Sequence, residues 1–471
     1  MDHHVSLGDH RAVNIEAQIK MASVHAIIGF GVTGRSVARH LLRKDIPFVV
    51  FDTRPAQPLP EEFTDVDVHW LIEQWPAARI DEYLRDVARL VVSPGIPLDL
   101  SILSAARSLN LPVVSDIDLF FEATTAPVIG VTGTNGKSTV VALVGHLLNG
   151  LGQDCGVGGN IGPAALDLLV RPQQRYVLEL SSFQLERSAV LPLTAATVLN
   201  ISDDHLDHHG SLQKYLCAKL KIYRGAQRCI FNRADSLTRP AGSGGSVSFG
   251  LDAASDANSF GIELRAGVRW ITKGDELILP ADELQLKGTH NLLNVMAALA
   301  LVEPAIEAQA AAPIAVGFSS LDHRFQFVRT LDGVTYINDS KATNVGATLA
   351  ALHGLAPATR TILIAGGDAK GADLQPLAAA LAESAAGVVA LGKDAKAVAA
   401  VAESVAIDCV QVANMTDAVL AAQRMAAGAA MVLLSPACSS LDMYRNFTER
   451  GEIFARVVHG LSSRVQGEGA C

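Results

Sequence analysis

The sequence predicts an α/β protein built from three domains, and three observations lead there. A chain of 471 residues exceeds what a single hydrophobic core organises. Short apolar runs rich in Val and Ile alternate with longer apolar stretches that suit helices. Aromatics make up only 5% while Ala and Gly abound, so helices can lie close on sheets. The expected domains are residues 21–119, 120–320 and 321–471. The outer two are read as Rossmann-like, and the central one as an ATPase-type domain around a phosphate loop.

Each class the composition excludes has a physical reason. A formal net charge of −10 argues against nonspecific nucleic-acid binding, which needs Lys and Arg to displace counterions. No apolar run reaches the roughly 18 residues of a membrane span. Six cysteines (Cys155, Cys217, Cys229, Cys409, Cys438 and Cys471) lack paired spacing, which suggests reduced thiols in a cytoplasmic protein. The leading residues 1–20 are polar with no apolar h-region, so they read as a disordered extension or an upstream start, with His3 and His4 incidental.

The first segment opens with the strand, turn and helix of Val24–Leu42. Gly29, Gly31 and Gly34 spell G-x-G-x-x-G, and the strand Phe48–Asp52 ends in an acid placed to meet a ribose hydroxyl. The pattern alone is weak, because tight strand–helix packing demands the same glycines. Arg54 suits a phosphate or a uracil-bearing nucleotide as well as a cofactor. Leu90–Ile96 is a further strand with a turn at its ligand-binding end.

The middle segment carries the strongest signal. A Val/Ile strand runs into Gly133, Thr134, Asn135, Gly136, Lys137, Ser138 and Thr139, and then a helix. Glycines let successive N–H groups face one cavity, the helix N-terminus favours anions, Lys137 reaches the terminal phosphates, and Ser138 or Thr139 can sit on Mg²⁺. The loop is a variant, with Val131 where the strict pattern has glycine. Tyr176–Gln184 reads as a strand whose apolar run ends at Glu179, a carboxylate that can hold Mg²⁺ there. Asp204 and His205 follow the strand Ala195–Ile201, and a histidine ligand would suit Mn²⁺ as well. His208 and His209 read as the start of a polar loop. Lys219 lies in a helical stretch and, by its residues alone, reads as one of several solvated bases. Phe249–Leu286 reads as a small β-meander. His290, Asn291 and Asn294 share a helix face by spacing, either to hold an adenine edge or to cap the helix.

The last segment ends three strands in polar turns: Asp339–Asn344 after Val334–Asn338, Asp368–Lys370 after Thr361–Gly367, and Ser435–Ser440 after Ala430–Leu434. In a parallel sheet such turns line one edge. Lys341, Thr343, Lys370 and Ser440 there suit an anionic, carboxylate-bearing substrate.

The loop Gly133–Thr139, Glu179–Gln184, Asp204–His205, Lys219, His290–Asn291, His323–Arg324 and Asp339–Asn344 together resemble the Mur ligase family, ATP-dependent amide ligases that build the peptidoglycan stem peptide. Asp339–Asn344 and Ser440–Phe447 are similar to its D-glutamate-adding branch. The resemblance implies an acyl-phosphate mechanism with ATP, UDP-N-acetylmuramoyl-L-alanine and D-glutamate as substrates, in a cytoplasmic monomer. It implies that Lys137 holds the β/γ-phosphates, that Ser138 and Glu179 hold one Mg²⁺, and that His205 with a carbamylated Lys219 holds a second. His290, Asn291, Asn294, Arg324, Asp339 and Lys341 would surround ATP. Thr343, Lys370, Ser440 and the Phe447 backbone would grip D-glutamate. Thr33, Asp52, Thr53, Arg54, Ser93 and Gly95 would bind the uridine nucleotide, and Asn160 the sugar-peptide. A dehydrogenase reading explains Gly29 to Asp52 but leaves the phosphate loop and Asp339–Asn344 idle. A nucleotide switch without ligase chemistry would turn over ATP, if at all, independently of any amino acid.

Overall fold

The computed structural model describes residues 24–242, 245–286, 288–303, 305–319, 321–355 and 359–463. The expectations for residues 1–20 lie outside them. Two compact units emerge, one from residues up to Thr132, Leu151–Thr197 and Cys217–Cys229, the other from Gly133–Gly150, Val198–Leu216 and Ile230 onward.

The first unit opens with five parallel strands: β1 (Val24–Ile28), β2 (Phe48–Asp52), β3 (Val68–Trp70), β4 (Val87–Val92) and β5 (Val113–Val114), in the order β3-β2-β1-β4-β5. Ala26, Ile28, Phe51 and Leu90 are fully buried on them, which is why these runs carry almost no polar residue. The glycine pattern divides by position. A Cβ on Gly34 would lie 1.9 Å from the Gly29 carbonyl, so Gly34 is a packing glycine. Gly31 has open space beside it and leads into the helix Val32–Arg43. This unit also holds β6 (Val128–Thr132), β7 (Cys155–Gly159), β8 (Arg175–Glu179) and β9 (Ala195–Val198), ordered β9-β6-β8-β7. Arg39 clamps Asp167 through Nε at 3.0 Å and Nη2 at 2.7 Å, and Arg43 reaches the Leu166 carbonyl. These bonds tie the first sheet's helix to the second strand group.

In the second unit β10 (Cys229–Asn232), β11 (Ser246–Phe249), β12 (Phe260–Arg265), β13 (Val268–Lys273) and β14 (Glu276–Pro280) follow in order, and β12 to β14 form the expected antiparallel meander. The helix Thr289–Val302 packs on the helix Lys137–Gly150. Next come β15 (Gln326–Leu331), β16 (Val334–Asn338), β17 (Thr361–Gly366), β18 (Ala385–Leu391), β19 (Cys409–Val412) and β20 (Met431–Leu434), ordered β15-β16-β20-β17-β18-β19. All pairs but β15–β16 are parallel. Apolar clusters cover both faces, one around Leu363, Val388 and Leu433, the other around Ile364, Val389 and Phe454. The strands β16, β20 and β17 are neighbours, so their three polar turns share one sheet edge. Among the described residues no helix is long and apolar enough to cross a membrane.

Candidate active site

The phosphate loop is fixed by backbone geometry that only glycine adopts cheaply. Gly133 and Gly136 have φ of +143° and +84°, and a Cβ on Gly136 would lie 2.5 Å from Asn294 Oδ1. Asn200, at the end of an apolar run, braces the loop: its Oδ1 accepts from Asn135 N–H at 2.8 Å and its Nδ2 donates to the Asn135 carbonyl at 3.0 Å. Thr134 Oγ1 meets the Tyr215 hydroxyl at 3.1 Å. Lys137 Nζ folds back onto the carbonyls of Gly133 and Thr134, at 3.0 and 2.7 Å, which keeps the cation at the loop's mouth.

A cavity of about 340 Å³ opens beside this loop, lined by Asn135, Gly136, Thr139, His290, Asn291, Asn294, Arg324, Asp339 and Lys341 among others. Most of the residues assigned to ATP thus converge on one space. Asn294 Nδ2 donates to Asn291 Oδ1 at 3.0 Å, and the helix N-cap is Gly288 with no side-chain capping bond, so these amides face the cavity and do not cap. Burial pulls the His290 pKa down and favours a neutral imidazole. Arg324 Nη2 donates to the Ser138 hydroxyl, joining the start of the last segment to the loop. Burial pushes the Asp339 carboxyl up to about 7 against the bonds from Ser435 Oγ and Phe325 N–H.

His205 holds a left-handed backbone (φ +53°) beside Asp204, which accepts from its N–H at 3.0 Å. Asp204 also takes a bond from Asn344, whose amide pairs with that of Asn135. His208 and His209 are not a loop: Leu206–His209 is a helical turn, and His209 is buried with its ring centroid 5.4 Å from that of Tyr215.

In the first unit Asn160 Nδ2 donates to Glu179 Oε1 at 2.8 Å, and Glu179 is buried at the end of β8. The solvated-base reading of Lys219 is corrected: the side chain is 2% exposed, and its Nζ donates to Thr132 Oγ1 at 3.3 Å. Thr132 Oγ1 donates in turn to the carbonyl of Leu180, the residue after Glu179. The helix Leu212–Leu220 has a weak polar–apolar contrast, so its pattern did not tell which face is buried. A metal fits these groups by donor chemistry. The buried Glu179 carboxylate offers a hard oxygen anion.

A second cavity of about 600 Å³ is lined by Thr33, Asp52, Thr53, Arg54, Ser93, Gly95, Asn160 and Gln184 among others. It gathers the whole set assigned to the nucleotide substrate. Asp52 is 1% exposed and accepts from Phe30 N–H at 2.6 Å and from Arg54 N–H, Nε and Nη2 at 2.8, 2.9 and 2.7 Å. Burial pushes its pKa up, yet the bonds from Arg54 and Phe30 together hold it below the usual value. Its acceptor positions are taken by the Phe30 N–H and by Arg54, which also lines the cavity. Ser93 Oγ is likewise engaged, donating to the Gly29 carbonyl at 2.9 Å. Gln184, expected at the end of the strand Tyr176–Gln184, lies instead in the helix Ser182–Arg187, which starts there because Ser181 caps it, and it also lines this cavity.

At the edge of the third sheet Lys341 Nζ lies 4.0 Å from the Phe447 ring centroid while also lining the first cavity. Thr343 N–H donates to the Lys341 carbonyl, Lys370 is held at φ +52°, and Ser440 is buried. Phe447 starts the helix Phe447–His459, where Asn446 Oδ1 caps the Glu449 N–H at 2.9 Å.

Comparison with known proteins finds three family matches along the chain. Residues 23–115 match the Mur ligase MurD-like N-terminal domain, 131–302 the Mur ligase middle domain, and 323–438 the Mur ligase glutamate ligase domain. The chain is 42% identical over 452 residues to the UDP-N-acetylmuramoylalanine–D-glutamate ligase of Legionella pneumophila (strain Paris), covering 93% of this chain and 99% of that one. The Pseudomonas aeruginosa protein of the same name is 42% identical over 446 residues, covering 93% and 98%. Among solved structures, the UDP-N-acetylmuramate–alanine ligase of Thermotoga maritima shares the fold, with a TM-score of 0.59 at 18% identity over 93% of this chain and 99% of that one. A pseudomurein peptide ligase from Methanothermus fervidus also has a TM-score of 0.59, at 16% identity over 93% of this chain and 100% of that one. With all three domain types in order and relatives at 42% identity along nearly its full length, the chain belongs to the Mur ligase family.

Proposed function

We propose that this chain is an ATP-dependent ligase that joins D-glutamate to UDP-N-acetylmuramoyl-L-alanine, releasing ADP and phosphate, in peptidoglycan precursor synthesis. One observation carries the reading: relatives bearing that activity's name are 42% identical over 93% of the chain. The three-domain division at about residues 119 and 320, a monomeric state and a cytoplasmic location belong to the same reading.

The alanyl carboxylate is a poor electrophile. Its oxygen attacks the γ-phosphorus of ATP, the bond to the β–γ bridging oxygen breaks, and ADP leaves. The amine of D-glutamate then adds to the acyl carbon, the tetrahedral intermediate expels phosphate, and the nitrogen loses its proton. The loop N–H groups and Lys137 neutralise the phosphoryl oxygens. Asn291, Asn294 and His290 seat the nucleotide, Arg324 and Asp339 act beside its terminal phosphate, and Lys341 stands between ATP and the amino-acid site. Thr343, Lys370, Ser440 and the Phe447 N–H hold the carboxylates of D-glutamate, while Arg54, aimed by Asp52, and Thr33, Thr53, Ser93 and Gly95 hold the uridine nucleotide. Ser138, Glu179 and a carbamate on Lys219 would each offer an oxygen to Mg²⁺, and His205 a nitrogen. Bound Mg²⁺ supplies charge neutralisation on the phosphoryl oxygens.

The test is product identity. Purified chain with ATP, Mg²⁺, UDP-N-acetylmuramoyl-L-alanine and D-glutamate should yield, by mass spectrometry, the amide of the two with one ADP per amide. ADP without amide overturns the reading.

A further inference from the structure

The helix Phe447–His459 buries an arginine in an unusual setting. Arg450 is 2% exposed, and its guanidinium directs its N–H groups at neutral oxygens. Nε donates to Ser340 Oγ at 3.0 Å, Nη2 to the Ser340 carbonyl at 2.8 Å, and Nη1 to the Cys438 carbonyl at 3.1 Å. Ser340 Oγ passes the link on, donating to the Phe447 carbonyl at 2.8 Å. Three segments therefore meet on one cation: the turn after β16, the turn after β20 and the first residue of the last helix. Those are the segments that carry Lys341 and Thr343, Ser440, and Phe447.

Burying a charge without a hydrogen-bonded counter-ion is costly, and apolar residues of similar volume usually stabilise a fold better. Burial pulls this guanidinium down to about 10, with Asp339, Asp442, Tyr444 and Cys438 acting on it from a distance. A rigid fork of donors is what three loop segments need if their spacing must match a ligand. A fixed positive charge behind them suits a ligand with two carboxylates.

We propose that Arg450 is a positioning residue for the acidic amino-acid substrate, fixing the spacing of the Ser340 and Cys438 turns against Phe447 and lending the site positive potential. The proposal rests on the D-glutamate reading above. It assigns Arg450 no contact with substrate and no part in ATP or uridine binding.

The experiment compares the full chain with Arg450→Lys, Arg450→Met and Ser340→Ala, measuring KM for D-glutamate, ATP and UDP-N-acetylmuramoyl-L-alanine separately. Arg450→Lys keeps the charge and loses the fork, and should raise the D-glutamate KM about tenfold; Arg450→Met should raise it about a hundredfold. KM for the other two substrates should stay within about twofold, which a merely structural loss would not spare. Arg450→Lys combined with Ser340→Ala should be less than multiplicative, because the two share one link. If Arg450→Met does not fold, the Lys and Ser340→Ala variants decide. Three KM values rising together, or an unchanged D-glutamate KM, overturn the proposal. A wild-type protein indifferent to D-glutamate overturns the function itself, and this inference with it.

Discussion

Replacing Asp52 by Asn keeps the side chain's shape and removes its charge. The carboxylate accepts four bonds, one from Phe30 N–H and three from Arg54. An amide offers one oxygen and one NH₂, so some of those donors would face another donor. A charge-assisted bond contributes about 1.5–3 kcal/mol, but the Arg54 side chain is 41% exposed and water replaces part of what it loses. The Phe30 N–H is buried and has no such replacement. The expected destabilisation is about 2–3 kcal/mol, below the about 3–5 kcal/mol of breaking a wholly buried pair. The pH dependence follows from the depressed pKa. The native carboxylate's contribution is complete above the unfolded value of about 3.8 and is lost as pH falls through the lower folded value. The gap between wild type and Asp52→Asn should therefore close in strong acid. Once Arg54 is released, KM for the uridine substrate should rise about tenfold while KM for ATP and D-glutamate stays put. Urea denaturation at neutral and acid pH, with initial rates for each substrate, measures both halves. A variant that loses stability yet keeps its uridine KM would refute the role given to Arg54; one that keeps its stability would refute the anchoring role of Asp52.

Other consequences are equally direct. Gly136→Ala places a methyl 2.5 Å from Asn294 Oδ1 at φ +84°, a strain of about 1–2 kcal/mol before the amide pair is disturbed, so affinity for a non-hydrolysable ATP analogue should fall about tenfold or more by calorimetry; unchanged affinity would contradict the cavity assignment. Lys219→Ala should lower kcat at least about a hundredfold and be partly restored by a short-chain carboxylic acid. Wild-type protein given ¹³C-bicarbonate should show a carbamate signal that the variant lacks; full activity, or loss without rescue, counts against the carbamate. Asp116, buried, has its carboxyl raised to about 6 by desolvation and Oδ1 without a hydrogen-bond partner. Between about pH 4 and 6 the native state holds a proton that the unfolded state has released, so stability falls with rising pH through that window. Asp116→Asn should remove the slope, gaining at most about 3 kcal/mol relative to wild type at neutral pH, and parallel stability–pH curves would contradict this.

The legible parts of this fold were those where local chemistry and fold demand the same residue. The phosphate loop, the acid ending β8 and the three polar turns after β16, β17 and β20 all lie at strand ends, where period and composition change together. What stayed hidden depends on which way a side chain faces. Lys219 sits in a helix of mixed character, and only the packed structure turns it inward. Spacing puts Asp52 at a strand end but cannot show that Arg54 and Phe30 fill its acceptors. Asn200 stands at the end of an apolar run, and Arg450 is one of several charged residues in its helix. Their roles arise from partners 65 and 110 residues away, a distance that no local pattern spans. Gly34 shows the reverse case: its place in G-x-G-x-x-G suggests a ligand, while the structure spends it on packing against the Gly29 carbonyl.

The most direct test of the account is phosphate release from ATP in the presence of UDP-N-acetylmuramoyl-L-alanine, with D-glutamate, L-glutamate or folate added in turn. Release that requires the muramoyl substrate and D-glutamate together, and that L-glutamate and folate do not support, is the predicted result. Release that ignores the amino acid, or that follows L-glutamate or folate, would contradict it.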